Sequence, residues 1–262
     1  MTKILSVKDL SYIYKSKTDL FSSQPTFTLG PISFDMFKGE TIAIVGNNGS
    51  GKSLTAKALA GAITPSSGSI DFITNDESEE GTHAHPIRMI LQHSGSAMNP
   101  ALTVGTVLNN TLKLNSSLNE AWRQEKIQET LKLVGLLRDH YYYYQHMMSD
   151  GQQQRAALAR ALILDPKIIV ADEPFAALDP SVRSQTVNLI LKLQYELGLG
   201  FVFISHNIGI VRHISDRVLV MDKGQVIEQG KTEEVFAAPK EALTQKLVQS
   251  HFNLVERHLS LR

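Results

Sequence analysis

The sequence predicts an α/β fold in which strands alternate with helices to build a parallel-type sheet, with a helical subdomain inserted between about Thr103 and Arg160. Three observations lead to this class. The final third alternates short β-rich runs with stretches of helical period. A glycine-rich turn joins the apolar run Thr41–Val45 to an amphipathic stretch. The middle of the chain carries helical spacing without strand-like alternation.

Taken in order, Ile4–Leu10, Phe27–Phe37 and Thr41–Val45 read as strands separated by polar turns. Lys15–Pro25 is polar and reads as a loop. Ser53–Gly61 reads as a helix, with Leu54, Ala58 and Leu59 at helical spacing. Pro65-Ser66-Ser67-Gly68 is a turn before the strand Ser69–Ile73, and Asn75–Gly81 is an acidic loop tip. Trp122, Ile127, Leu131, Val134 and Leu137 fall near helical spacing, and Gln152–Leu164 forms a second helix. Ile168–Ala171 is a buried strand, Ser181–Leu197 a long helix and Phe201–Ser205 another strand. VLVMDKGQVIEQG reads as a hairpin turning at Lys223-Gly224.

Composition removes several function classes. The 262 residues carry 26 Lys and Arg against 26 Asp and Glu, so the balance offers no basic footprint for nucleic acid. There is no cysteine, which excludes disulfides, thiol catalysis and Cys-ligated metal centres. No apolar run approaches the ~18 residues of a transmembrane helix. Lys8 and Asp9 interrupt any signal-peptide core. The chain reads as soluble, reaching a membrane only by docking on another protein.

The strongest local signal is GNNGSGKS at Gly46–Ser53, which matches GxxxxGK followed by Ser or Thr. It lies after an apolar strand and before a helix, where the phosphate loop of P-loop NTPases belongs. The backbone N–H groups of Asn48–Lys52 can wrap phosphate oxygens. Lys52 would neutralise β- and γ-phosphate charge and the Ser53 hydroxyl would ligate Mg²⁺. Asp172 closes the apolar strand Lys167–Ala171 and Glu173 follows it. A carboxylate pair at such a strand end suits Mg²⁺ held through water by Asp172 and an attacking water polarised by Glu173. The loop alone leaves kinases, GTPases, helicases and transporters open.

The remaining motifs narrow the choice. Tyr14 stands before a long polar loop, Gln92 lies in MILQH, Ser149-Asp150-Gly151-Gln152 follows Met148, Ala177-Leu178-Asp179 follows the carboxylate pair, and His206 lies in FVFISHN. In this order they resemble the ATP-binding subunits of ABC transporters over nearly the whole chain. The phrases MNPALTVG and PKEALTQKLV resemble the dipeptide and oligopeptide importer branch, and VGLLRDHYYYYQHM is most like its Sap-type peptide-transport ATPases. The resemblance implies a RecA-like core sheet with an antiparallel β subdomain and the inserted helices. It implies an ATP-binding domain over residues 1–235 and a short helical extension over 236–262.

The same resemblance implies a site. Tyr14 stacks on adenine, and Gly46, Asn47, Asn48, Gly49, Ser50, Gly51, Lys52 and Ser53 hold the phosphates. Ser53, Gln92 and Asp172 hold Mg²⁺, while Glu173, Gln92 and His206 act in hydrolysis. Ser149, Gly151 and Asp179 meet ATP in a head-to-tail pair, formed with a second copy or a related ATPase. Two membrane-spanning permease subunits dock near Gln92–Gly105, a periplasmic peptide-binding protein acts indirectly, and no nucleic acid is involved. The implied work is ATP-driven peptide uptake of the antimicrobial-peptide type, at the cytoplasmic face of the inner membrane. An ABC-type ATPase of repair or translation is the alternative; the first needs a long coiled coil between Gln92 and Ser149, the second two ATPase halves, and neither is present.

Asp150 departs from the family pattern, which has glycine there. Near a γ-phosphate supplied in trans it would repel, unless it faces solvent or caps the helix near Gln153. His83, His85 and His93 lack a metal-ligand pattern. In Tyr141–Tyr144, consecutive residues point in different directions, so part of the run is expected to pack and part to face outward.

Overall fold

The computed structural model describes residues 2–14, 27–73, 85–91, 98–176 and 178–259. In chain order its elements are β1 (Lys3–Tyr14), β2 (Phe27–Phe37), β3 (Thr41–Gly46), α1 (Lys52–Leu59), β4 (Ser67–Phe72), β5 (Ile87–Ile90), α2 (Val104–Asn115) and α3 (Glu120–Leu133). There follow α4 (Asp150–Leu162), β6 (Ile168–Asp172), α5 (Pro180–Leu197), β7 (Gly200–Ile204), α6 (Ile208–Ile214), β8 (Arg217–Asp222), β9 (Gln225–Lys231), α7 (Thr232–Ala237) and α8 (Ala242–Leu259). They divide into two compact units, Met1–Ile73 with Gly200–Arg262, and Thr74–Leu199.

In the first unit β3 is buried along its whole length, as a continuous apolar run demands. It pairs in parallel with β7, Ile44 opposite Ile204, and with β8, Val45 opposite Val220. β9 returns antiparallel to β8 through Lys223-Gly224, whose φ values of 45° and 86° are both left-handed, as the hairpin reading requires. A second sheet places β1 between β2 and β4, all antiparallel. β2 alternates cleanly, with Ile32, Phe34 and Met36 buried and Pro31 and Ser33 exposed. β1 runs four residues past Leu10, because the ladder with β2 continues to Tyr14 opposite Phe27. β4 starts earlier than its composition indicates, since Ser67 pairs with Ser11 and Ser66 Oγ accepts from the Ile13 amide at 2.9 Å. Tertiary pairing overrides the turn preference of those serines.

The same unit ends in α7 and α8. Glu228 of β9 anchors the approach to α8, accepting from the backbone amides of Lys240 at 3.0 Å and Glu241 at 3.2 Å. Burial pushes this carboxyl up, but the neighbouring Thr244 hydroxyl and those two amides outweigh it and hold its pKa below the ordinary carboxylate value. A folded-state pKa below the unfolded one gives stability that is present above the ordinary carboxylate range and is lost as pH falls through the folded value. Glu228→Gln is therefore expected to melt at a lower temperature than the parent near pH 7. The two melting curves should converge on acidification, and a constant gap down to pH 3 would contradict the assignment.

In the second unit β5 and β6 pair in parallel, Ile87 opposite Ile168. The helices open on side-chain caps: Thr103 Oγ1 accepts from Thr106 N at 3.2 Å for α2, and Asn119 Oδ1 from Trp122 N at 3.0 Å for α3. Ile127, Leu131 and Val134 are buried as the spacing predicts, but Trp122 and Leu137 are exposed. Five positions before Ile127, Trp122 points about 140° away from that stripe at 3.6 residues per turn. Leu137 follows Gly135, whose φ of 74° has already reversed the chain, so helical spacing no longer governs it. The tyrosine run alternates. Tyr141 packs over Gly105, where any β-carbon would collide with the ring, and its hydroxyl accepts from Gln124 Nε2 at 2.9 Å. Tyr142 is 70% exposed and Tyr144 faces outward as well.

Candidate nucleotide site

The phosphate loop is built by close backbone approach. Gly46 ends β3 at φ 150°, and a β-carbon there would collide with the Met221 carbonyl oxygen of β8. Gly51 then opens α1 in the left-handed region and gives that helix no side-chain cap. The first-turn N–H groups of a helix have no preceding helical carbonyls to bond. They and the helix dipole therefore present positive charge toward Gly46–Ser53. Lys52 is 8% exposed, and its ammonium donates to the carbonyls of Gly46 at 2.9 Å and Asn47 at 2.8 Å. Ser50 is buried, and among the described residues its hydroxyl has no hydrogen-bond partner. Asn47, Asn48, Gly49 and Ser53 are exposed. A buried hydroxyl without a partner costs about 1–3 kcal/mol, and an arriving oxyanion relieves that cost.

Two more of the residues expected at the site stand in the first unit. β3 and β7 run in parallel, so His206, two residues beyond Ile204, lies at the same sheet end as Gly46. It is exposed between two local brackets: Ser205 Oγ accepts from Asn207 N at 3.1 Å, and Asn207 Oδ1 accepts from Ile210 N at 3.1 Å to cap α6. Tyr14, the last residue of β1, is 47% exposed and offers a flat apolar face.

The second unit holds the carboxylates. Asp172 ends β6 and is buried. Glu173 follows with φ 47°, an uncommon conformation for a residue with a β-carbon. Asp179 stands at the start of α5, ahead of Pro180, and makes no capping hydrogen bond, although aspartate at that position ordinarily does. Arg183 donates from Nη2 to the Leu178 carbonyl at 3.0 Å and holds the turn before Asp179. Sequence reasoning missed Arg183, because nothing local marks an arginine five residues downstream as a partner for that carbonyl.

At the start of α4 the structure excludes the capping role for Asp150 and leaves it facing solvent. Ser149 is the cap: its hydroxyl accepts from Gln152 N at 3.4 Å, and Gln152 Oε1 accepts from Ser149 N at 2.9 Å. Asp150 is the first helical residue and is exposed. The signal was present in the sequence, since Ser-x-x-Gln is a capping-box pattern and outranks an aspartate one residue later. Gly151 sits against α5, where a β-carbon would lie 2.9 Å from Val182 Cγ1. Within this unit the segment Ser149–Gln152 and the start of α5 are thus neighbours. Gln92, Ala177, His83 and His93 lie outside the described residues. Among those described, no three His, Cys, Asp or Glu side chains gather in a metal-holding group.

The ABC transporter family matches residues 29–176. The peptide transport system ATP-binding protein SapF of Salmonella typhimurium is 44% identical over 251 residues, covering 95% of this chain and 94% of that protein. Its Escherichia coli counterpart, named putrescine export system ATP-binding protein SapF, is 44% identical with the same coverage of both chains. Among solved structures, cbiO1 of Clostridium perfringens, part of the ABC transporter complex cbiONQ, superposes with a TM-score of 0.75 at 30% identity, over 99% of this chain and 100% of that one. The chain therefore belongs to the ABC transporter family, as one of its ATP-binding ATPases.

Proposed function

We propose that this chain is the ATP-hydrolysing subunit of an importer that carries peptides, of the antimicrobial-peptide type, across the inner membrane. The observation that carries the nucleotide part is the phosphate loop, where an uncapped α1, a buried Ser50 hydroxyl unpartnered among the described residues and the Lys52 ammonium converge. The cargo part is supported by the peptide-importer phrases in the sequence and by the name of the Salmonella relative.

Residues 1–235 form the ATP-binding domain, with residues 103–160 inserted and 236–262 as an extension. Tyr14 stacks on adenine, and Gly46–Ser53 cradle the triphosphate. Ser53, Asp172 and Gln92 supply the oxygen donors that suit Mg²⁺, which would neutralise charge between the β- and γ-phosphates. Glu173 takes a proton from the attacking water as its oxygen bonds to the γ-phosphorus and the bond to ADP breaks. Gln92 and His206 orient the water and the γ-phosphate. Ser149, Gly151 and Asp179 serve the ATP of a facing subunit, a second copy or a related ATPase. Permease subunits dock around residues 92–105, beside the outward-facing Tyr142 and Tyr144, and a periplasmic peptide-binding protein delivers cargo to them. The chain itself works at the cytoplasmic face, held there by those permeases.

The test is purification of the tagged chain from membranes with its co-purifying subunits, followed by reconstitution in vesicles. ATP turnover is expected to rise several-fold with a cationic peptide and its binding protein, with peptide moving inward. Stimulation by putrescine with outward movement, and none by peptide, would overturn the cargo and direction while leaving the ATPase assignment intact.

A further inference from the structure

We propose that Gly224 and Phe27 act as a staple that registers the aromatic face at Tyr14 against the phosphate loop, so that the base and the phosphates of one nucleotide are bound as a unit. This rests on the reading that ATP lies on Tyr14 and Gly46–Ser53. Three segments far apart in sequence meet at Gly224, in the turn between β8 and β9. Its N–H donates to the Ser50 carbonyl of the phosphate loop at 2.9 Å, and its own carbonyl accepts from the Gly30 N–H of β2 at 2.7 Å. One residue therefore ties the loop to the antiparallel sheet by backbone alone. It has to be glycine: φ is +86°, and a β-carbon would collide with the Thr28 carbonyl oxygen.

Phe27 supplies the second limb. Its backbone stands opposite Tyr14 in the β1–β2 ladder. Its ring tip lies 3.3 Å from where a β-carbon would stand at Gly51 and 3.3 Å from the equivalent point at Gly224. The ring thus rests on the residue that opens α1. Leu29 closes the same contact, with Cδ1 at 2.5 Å from that point on Gly51. The β1–β2 ladder connects Tyr14 to Phe27, packing connects Phe27 to Gly51, and hydrogen bonds connect β2 through Gly224 to Ser50. A shift of β2 against the loop would move Tyr14 relative to Lys52. With that shift prevented, a nucleotide anchored by its phosphates meets the aromatic face already in place, and the second contact carries little additional ordering cost. Gly224 and Phe27 touch no substrate in this scheme; they are positioning residues.

A double-mutant cycle tests the staple. Dissociation constants for ATP and for inorganic triphosphate are measured by calorimetry on the full chain, with melting curves to confirm folding. In the parent, Tyr14→Ala should weaken ATP about tenfold, in line with loss of one base–aromatic stack, and leave triphosphate within about twofold. In Gly224→Ala and in Phe27→Leu backgrounds, adding Tyr14→Ala should cost about twofold or less, because the base contact is already uncoupled. Phe27→Leu keeps the cycle readable where Gly224→Ala does not fold. Lys223→Asn, at an exposed position of the same turn, should retain the tenfold loss. An undiminished tenfold loss in both the Gly224 and Phe27 backgrounds overturns the staple while the nucleotide site stands. Tyr14→Ala without effect in the parent, with Lys52→Ala still weak, also sinks the staple and leaves the phosphate loop in place. ATP binding by Lys52→Ala as tight as the parent's overturns the site itself and the staple with it.

Discussion

Glu173→Gln is expected to slow ATP hydrolysis about 10²-fold or more while ATP still binds, as removal of a catalytic base does. The substitution keeps the shape of the side chain and removes the carboxylate that accepts the water's proton. Steady-state phosphate release and filter binding of ATP on the same preparation separate the two effects, and normal turnover would move the base elsewhere. The backbone gives a second arm to this test. Glu173 holds φ 47°, which costs a residue with a β-carbon about 1 kcal/mol relative to glycine. Glu173→Gly should abolish hydrolysis while relieving that backbone cost, and a melting temperature no lower than that of Glu173→Gln would mark the strain as retained for chemistry.

Lys52→Ala is expected to weaken ATP binding by about 10²-fold, the loss of charge-assisted contacts to phosphate oxygens. The geometry adds a second consequence. The ammonium also bonds the carbonyls of Gly46 and Asn47, so alanine removes an internal brace of the loop as well. Lys52→Ala should melt lower than the parent even without nucleotide, by about 1–2 kcal/mol of stability. Calorimetric titration and a nucleotide-free melt check the two parts. Equal ATP affinity in parent and variant would count against the phosphate loop.

How much could be read from the sequence depended on how local the determinant was. The loop from Gly46 to Ser53 and the fully buried β3 are written in contiguous residues, and both stand where periodicity and glycine spacing put them. The β8–β9 turn was legible for the same reason, since Lys223-Gly224 between two apolar runs is a short-range signal. Part of what failed was set by partners distant in sequence. Nothing in Ser11–Tyr14 states that Phe27 will extend the ladder that far. The exposure of Trp122 follows from its angle to a stripe whose true members are Ile127, Leu131 and Val134. The cap of α4 was itself a local signal, since Ser149 and Gln152 form a capping box in which Asp150 is only the first helical residue. The contacts of Gly224 with Ser50, Thr28 and Gly30 join three segments and have no sequence signature beyond the glycine itself.

The capping of α4 leaves its serine hydroxyl with a proton to give and one lone pair. The Ser149 oxygen accepts from the Gln152 amide, and the Ser149 amide is taken by the Gln152 side chain. A hydroxyl has one proton to give and lone pairs to receive. With one lone pair committed to its own helix, the oxygen is polarised so that its proton is the better donor, and that proton must point away from the helix end. The turn of sequence that starts the helix thereby fixes the polarity of the group it shows to the outside. Ser149 is exposed and keeps its proton to give, which suits a phosphate oxygen.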